Sequence, residues 1–216
     1  MNGILLLLIL IITAALPAII VYILFRVTKS PVTLPWFLVF LVTGVISLLA
    51  AVLVQKLFPP PGIVGIWSLF FSVFIRIALV EETGRLVGFA IFLNIIKSYR
   101  NQDKPFCAAL GFISGLGFAM IESVFYGISD LNIILLRAVT AAPLHGACGI
   151  RVSIAYITVR DNPIKAIFLF ISAVLIHGAY NLIILSPAFP ALLAIPIAFA
   201  ALFPAIHYLK VPNKDD

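Results

Sequence analysis

The chain has 216 residues, of which 63% are hydrophobic and 10% are charged. A soluble domain has about 25% charged residues, so this composition excludes an ordinary soluble fold, because too few polar side chains remain to cover its surface. A lipid bilayer solvates apolar side chains instead. The formal net charge of +6 does not indicate nucleic-acid binding, since the 14 lysines and arginines are scattered between apolar runs rather than gathered on one stripe.

Long apolar runs divide the chain, and a helix that crosses a membrane needs about 20 such residues. The predicted helices cover residues 4–25, 34–54, 75–97, 105–126, 131–158, 164–185 and 189–209. Residues 63–74 are also apolar and predict either an interfacial helix or an extension of the third span. The sequence therefore predicts one all-α membrane domain over 1–216, a polytopic bundle of about seven spans.

The charges of the loops predict the orientation of the bundle. One side carries nine basic residues, and the other carries only Lys56. The nine are Arg26, Lys29, Lys97, Arg100, Lys104, Arg160, Lys165, Lys210 and Lys214. Because the basic side of a membrane protein faces the cytoplasm, we expect the N-terminus outside the plasma membrane and the C-terminus inside.

Ionisable side chains inside the predicted spans are the informative residues. Each costs roughly 2.5–3.5 kcal/mol at the centre of a bilayer, and such residues usually face the interior of a bundle. Four consecutive spans contribute Glu81, Glu82 and Arg85, then Glu122, then His145, then His177 and Asn181. Their positions along the spans place them in the middle-to-outer part of the membrane. We expect one shared polar site there, in a core formed by residues 75–185.

Other residues in the spans have simpler interpretations. Arg76 and Arg137 are expected near the outer boundary, where long basic side chains extend toward water. Gly111 and Gly115 form a GxxxG step and predict close helix packing. Cys148 is expected as a small buried core residue, although it follows His145 by three residues and a ligand role is open.

The sequence from Glu81 to Arg85, EETGR, resembles the EExx(K/R) motif of the PrsW-type proteases, with arginine where lysine is commoner. The sequence from Phe118 to Glu122 resembles the second motif of that family, FxxxE. His145 and the unit from His177 to Asn181 are similar to the later histidine motifs. The resemblance covers roughly residues 75–185 in the right order. These enzymes are distant relatives of the CAAX prenyl-protein proteases and of bacteriocin self-immunity proteins.

The resemblance implies hydrolysis of a peptide bond in a membrane-anchored protein, such as an anti-sigma factor. Glu81 is the expected general base, because a carboxylate in a low dielectric is a stronger base when ionised, although the sequence does not fix which glutamate takes this role. Glu82 would support it, or pair with Arg85 instead. Either His145 or Glu122 would position the attacking water. By analogy with the CAAX-type enzymes, His177 and Asn181 would donate hydrogen bonds to the oxyanion.

A zinc mechanism would use some of the same residues. Glutamate and histidine are zinc ligands, and a catalytic zinc keeps three protein ligands and a water. Glu122, His145 and His177 are the candidate set. No HExxH pair occurs on one helix, and we favour the glutamate-dependent reaction without a metal.

Two other classes of protein stay open. Intramembrane glutamate and histidine also form proton relays in transporters, but the chain shows no repeated halves of the kind many transporters have. A non-catalytic immunity or binding protein is the second alternative, and the complete set of polar residues argues against it. The sequence does not predict the oligomeric state.

Overall fold

A computed structural model describes residues 3–58, 65–95, 103–128, 131–186 and 188–210, and these parts are helical with short connections. The helices are α1 (Gly3–Val27), α2 (Leu34–Leu57), α3 (Ile66–Phe71), α4 (Val80–Ile95), α5 (Lys104–Gly127), α6 (Leu131–Thr158), α7 (Pro163–Leu185) and α8 (Ala194–Ile206). A π-helical segment, Ser72–Leu79, joins α3 to α4. Short 3₁₀ turns, Ala191–Leu193 and His207–Leu209, flank α8.

The predicted bundle of membrane helices is confirmed. Within the described residues, six helices are long and apolar enough to cross a bilayer, namely α1, α2, α5, α6, α7 and the stretch Ala191–Leu209 that contains α8. The remaining predicted span is continuously helical from Ile66 to Ile95 and carries the charged motif. It begins earlier than the expected residue 75, so the apolar residues from Ile66 onward extend this span.

Helix α5 lies at the centre of the bundle, and glycines bring its backbone against both neighbours. A Cβ added at Gly115 would lie 2.1 Å from the carbonyl oxygen of His145 on α6, and one at Gly111 would lie 2.3 Å from that of Gly149. On the opposite side, a Cβ at Gly117 would lie 2.0 Å from the carbonyl oxygen of Leu41 on α2. The close packing predicted for Gly111 and Gly115 is confirmed, and it fixes the height of His145 against α5.

Irregular backbone lies next to two of the charged helix segments. The π-helical segment ends at Leu79, immediately before Glu81 and Glu82 of α4. Such wide turns are frequent at functional sites. Pro143 lies inside α6, two residues before His145, and a proline removes one backbone hydrogen bond from the helix. Both features lie close to polar side chains of the predicted site.

Candidate active site

The structure buries all the predicted site residues, seven polar residues and Phe118, in the interior of the bundle. Helix α4 supplies three of them, α5 and α7 two each, and α6 one. All eight are at most 7% exposed: Glu81, Glu82, Arg85, Phe118, Glu122, His145, His177 and Asn181. A buried charge is stable only when other groups compensate it, and the contacts among these side chains give that compensation.

Arg85 pairs with one carboxylate and one imidazole. Its Nη1 donates to Glu82 Oε2 in a short buried ion pair one turn along α4. Its Nη2 lies 3.1 Å from His145 Nδ1. Because a guanidinium can only donate hydrogen bonds, His145 accepts at Nδ1 and carries its proton on Nε2. Arg85 therefore fixes both the ionised state of Glu82 and the tautomer of His145.

Phe118 packs against the same pair of residues. Its ring centre lies 4.4 Å from the guanidinium carbon of Arg85 and 5.0 Å from the ring centre of His145. The face of an aromatic ring attracts a cation at this distance. The phenylalanine of the FxxxE motif thus holds Arg85 in place, one turn before Glu122 on α5.

Glu122 has its own arginine, which corrects the interpretation of Arg137. Glu122 Oε2 lies 2.6 Å from Arg137 Nη2 and 2.7 Å from His145 Nε2. Arg137 is 1% exposed, lies over the ring of Tyr126 at 4.3 Å and donates to the hydroxyl of Ser123. The prediction that Arg137 extends toward the membrane boundary is wrong, because the buried carboxylate of Glu122 requires a cation inside the bundle.

Glu81 is bound differently. Its Oε1 accepts a hydrogen bond of 3.0 Å from the side-chain amide of Gln55 on α2. Its Oε2 lies 3.5 Å from His177 Nε2, and neither atom has a hydrogen-bond partner within the described part of the chain. The other ring nitrogen of His177, Nδ1, lies 2.7 Å from Glu82 Oε1. His177 is therefore flanked by two carboxylates.

The charges of the cluster balance when one further proton is bound, either on His177 or on Glu81. Three carboxylates face two arginines, since Glu82 pairs with Arg85 and Glu122 pairs with Arg137. Glu81 is left without a guanidinium. His145 has its Nδ1 lone pair directed at Arg85, whereas His177 lies between two carboxylates. A protonated His177 makes the buried cluster neutral, which the low dielectric of a bundle interior favours.

Asn181 lies one turn after His177 on α7 and is 3% exposed. Residues four apart on a helix share a face, so both side chains belong to the same face of α7. The side-chain amide of Asn181 forms no hydrogen bond with another described residue, and its role stays a prediction.

One candidate metal set is Glu82, His145 and His177, whose ligand atoms lie within 4.8 Å of one another. Both oxygens of Glu82 contact Arg85 or His177, and the Nδ1 of His145 faces the guanidinium of Arg85. The Nε2 atoms of His145 and His177 have no hydrogen-bond partner within the described part of the chain. Binding of zinc through Glu82 would require its ion pair with Arg85 to open, because zinc needs the carboxylate lone pair and the guanidinium would repel the ion.

The set of donors predicted from the sequence has Glu122 in place of Glu82. Glu122 Oε2 lies close to Arg137 and to the Nε2 of His145, but Glu122 Oε2 and the Nε2 atoms of His145 and His177 have no hydrogen-bond partner within the described part of the chain. Ligation of zinc by this second set would require the contact between Glu122 and Arg137 to rearrange, and the assignment stays a prediction.

Two members of the cluster, Gln55 and Arg137, were not predicted from the sequence. Gln55 stands beside Lys56 at the end of the second apolar run and resembles an ordinary boundary residue. Arg137 carried a usable signal, since a buried Glu122 needs a cation and Arg137 is the first one after it in the sequence. Arg76, expected near the outer boundary, is half-buried and donates to the carbonyl oxygens of Gln55 and Phe58, which ties the end of α2 to the π-helical segment.

A comparison with protein families matches residues 30–208 to the model of the PrsW family intramembrane metalloprotease. The chain belongs to the PrsW protease family. The match covers most of the chain, more than the 75–185 core on which the resemblance depends, and it includes the α2 residue Gln55. No curated protein and no solved structure matched in the corresponding searches. Together with the six apolar helices, the match identifies a multi-pass integral membrane protein of an intramembrane protease family.

Proposed function

We propose that this PrsW-family protein hydrolyses a peptide bond of a membrane-anchored protein at the point where Glu81 faces His177. The observation that carries the proposal is the asymmetry among the three buried carboxylates. Two have an arginine of their own, while Glu81 has none and its Oε2 lies 3.5 Å from His177 Nε2. A carboxylate that is not held in an ion pair with a guanidinium is the one best able to accept a proton.

The reaction begins with a water that bonds Glu81 Oε2. Glu81 takes one proton from this water as the new oxygen–carbon bond forms at the scissile carbonyl carbon. The carbonyl becomes a tetrahedral oxyanion. Glu81 then returns the proton to the leaving nitrogen as the carbon–nitrogen bond breaks. The products are a carboxylic acid and an amine, and the carboxylate of Glu81 is restored.

The oxyanion needs donors that are in place before it forms. Protonated His177 donates from Nδ1 to Glu82 and has Nε2–H available on the side of Glu81. Asn181 on the same face of α7 supplies a second donor. These are the roles that the resemblance implies, and the flanking carboxylates give a physical reason why His177 can serve as a cation.

The rest of the cluster positions these groups. Glu82 orients His177, Arg85 holds Glu82, and Phe118 and His145 hold Arg85. Through the contact between His145 and Glu122 the same network reaches Arg137 on α6. In this proposal Glu122 and His145 act through other residues rather than on the water, which is a narrower role than the sequence predicted for them.

The reaction is proposed to proceed without a metal, because Arg85 lies against Glu82 and His145 and Arg137 lies against Glu122, where their positive charges oppose the binding of a zinc ion. We expect protein that is free of zinc by elemental analysis to keep its peptidase activity in the presence of a strong chelator. Matched samples with added zinc are the control. Activity that is lost on metal removal and returns with zinc would contradict the proposal, because the donors would then have to release Arg85.

A pocket beside Glu81 is the proposed position of the substrate chain. It has a volume of about 430 Å³ and is lined by eight residues from the end of α2 and the helical stretch 71–80, among them Gln55, Ile75 and Val80. Gln55 both lines this pocket and donates to Glu81. An extended peptide lying there has its carbonyl groups next to the proposed base.

Filling the pocket should block the substrate. We expect Ile75→Trp to lower kcat/KM roughly tenfold or more, because misplacing a substrate by about 1 Å can cost 10²-fold. Ile91→Trp is the matched control, since Ile91 lies further along the same helical stretch, is 51% exposed and does not line the pocket. Equal rates for the two variants would place the substrate elsewhere.

The proposal as a whole is tested with the purified protein in liposomes that contain single-span peptides, with products identified by mass spectrometry. We expect cleavage within or near the hydrophobic segment of some of these peptides, and an anti-sigma factor is one candidate substrate. The same liposomes report on the transporter alternative. Proton flux without any cleavage would favour a proton-coupled transporter, and neither activity would favour an immunity or binding protein.

A further inference from the structure

A second, larger cavity lies away from the polar cluster. It has a volume of about 940 Å³, with helices α1 and α8 as its walls and residues of α5 and α6 as its floor. We call it the α1/α8 groove. Its lining is apolar except for four residues, Thr28, Lys29, Ser30 and Lys210, and all four lie at one end. Of the described residues that line it, none is acidic.

The four polar residues mark the end that the loop charges assign to the cytoplasmic side. Lys29 follows the end of α1 and Lys210 follows the last turn after α8. Both lysine side chains are exposed. From this end the groove continues along α1 as far as Leu16. Exposed apolar side chains, including Ile20 and Leu24, form its rim toward lipid.

The length of the groove matches one leaflet of a bilayer. Lys29 and Leu16 are 13 residues apart (29 − 16), which corresponds to about 20 Å of helix. Half of a hydrocarbon core is about 15 Å, and the headgroup region adds roughly 5–7 Å on each side. A phospholipid of the inner leaflet therefore reaches from the lysines to the closed end of the groove.

The backbone at Lys29 gives an independent reason to regard this lysine as functional. The Ser30 N–H donates to Phe25 O and the Lys29 N–H donates to Arg26 O, which is the Schellman pattern of helix ends. Lys29 occupies the left-handed position of this pattern, with φ of 54°. Glycine adopts that conformation most readily. A lysine at this position accepts a backbone strain that glycine would avoid, which is consistent with a function for its side chain.

We propose that the α1/α8 groove binds an anionic phospholipid of the inner leaflet, with its phosphate between Lys29 and Lys210 and its acyl chains along α1. Basic pockets between membrane helices on the cytoplasmic side suit such headgroups. A second copy in parallel orientation would place its own lysines at the same depth, where like charges repel.

The test uses the purified full-length protein in detergent with phosphatidylglycerol or phosphatidylcholine added at equal concentration, and counts bound lipids by native mass spectrometry. We expect phosphatidylglycerol to be retained in preference to phosphatidylcholine. The double variant Lys29→Gly with Lys210→Gln should lower the affinity for phosphatidylglycerol about 30-fold, because each lysine contributes about fivefold. Lys165→Gln is the matched control, because Lys165 is exposed, belongs to the same basic side and does not line the groove.

Two further variants keep the result interpretable. Lys29→Gly alone should unfold at the same or a higher temperature in detergent without added lipid, since glycine suits the left-handed position, and yet bind less phosphatidylglycerol. Ala138→Phe places a ring in the groove and should reduce retention with both lysines intact. Three results would overturn the proposal. They are equal retention of the two lipids, unchanged retention in the double lysine variant, and disulfide cross-linking of two copies in membranes when Leu24 is replaced by cysteine.

Discussion

Replacing Glu81 by glutamine should lower the rate of peptide cleavage by about 10²–10⁴-fold, the usual loss when a positioned general base is removed. Glutamine keeps the size of the side chain and an oxygen that can accept from Gln55, so the fold is expected to survive. The measurement is single-turnover cleavage in liposomes, with the unfolding midpoint recorded on the same preparation.

Asp161→Asn provides the control for this variant, since Asp161 is an exposed carboxylate in the connection before α7. It should cleave at the wild-type rate. Glu81→Gln protein that cleaves as fast as wild type would remove Glu81 as the base and leave Glu122 as the next carboxylate to test. Loss of cleavage together with loss of folding would point to a structural role instead.

Replacing Arg137 by methionine should destabilise the protein by about 3–5 kcal/mol, because it leaves the buried carboxylate of Glu122 without its cation. Methionine retains much of the apolar contact with Tyr126, so the loss reports on charge rather than on volume. The measurement is the free energy of unfolding in mixed detergent micelles.

The double variant Arg137→Met with Glu122→Gln separates charge from packing. Removing both charges together leaves no uncompensated ion, so we expect it to recover most of the lost stability. If the two single effects simply add, the ion pair does not couple the residues energetically, and Arg137 contributes through packing alone.

Much of the fold could be predicted because hydropathy and helix punctuation are local signals. Helix α6 begins and ends at the predicted residues, and α7 begins one residue early, at Pro163. The third span begins at Ile66 rather than 75, because apolar residues in a π-helical segment carry no sequence mark that separates them from the α-helix after it. The orientation of the termini rests on loop charges alone and stays a prediction.

The members of the site could be predicted, but their pairing could not. Burial of a carboxylate or an imidazole in an apolar run is visible in a sequence, and Glu81, Glu122, His145 and His177 all lie in the cluster. Which arginine faces which carboxylate depends on helix rotation and on glycine contacts between helices. Arg137 was therefore predicted to lie at the membrane boundary, because its sequence position does not show that it faces Glu122.

The central claim is that every glutamate of this chain lies beside a histidine in one buried cluster, with Glu81 facing His177. The chain has three histidines and three glutamates, Glu81, Glu82 and Glu122, so the claim can be tested by solid-state NMR in liposomes with ¹³C-glutamate and ¹⁵N-histidine labels. The side-chain carboxyl carbons of all three glutamates should show dipolar coupling to histidine nitrogen. The Glu81 signal is identified by its absence from the spectrum of Glu81→Gln. It should be one of the coupled signals, because Glu81 Oε2 lies 3.5 Å from His177 Nε2. A Glu81 carboxyl carbon without this coupling would contradict the account.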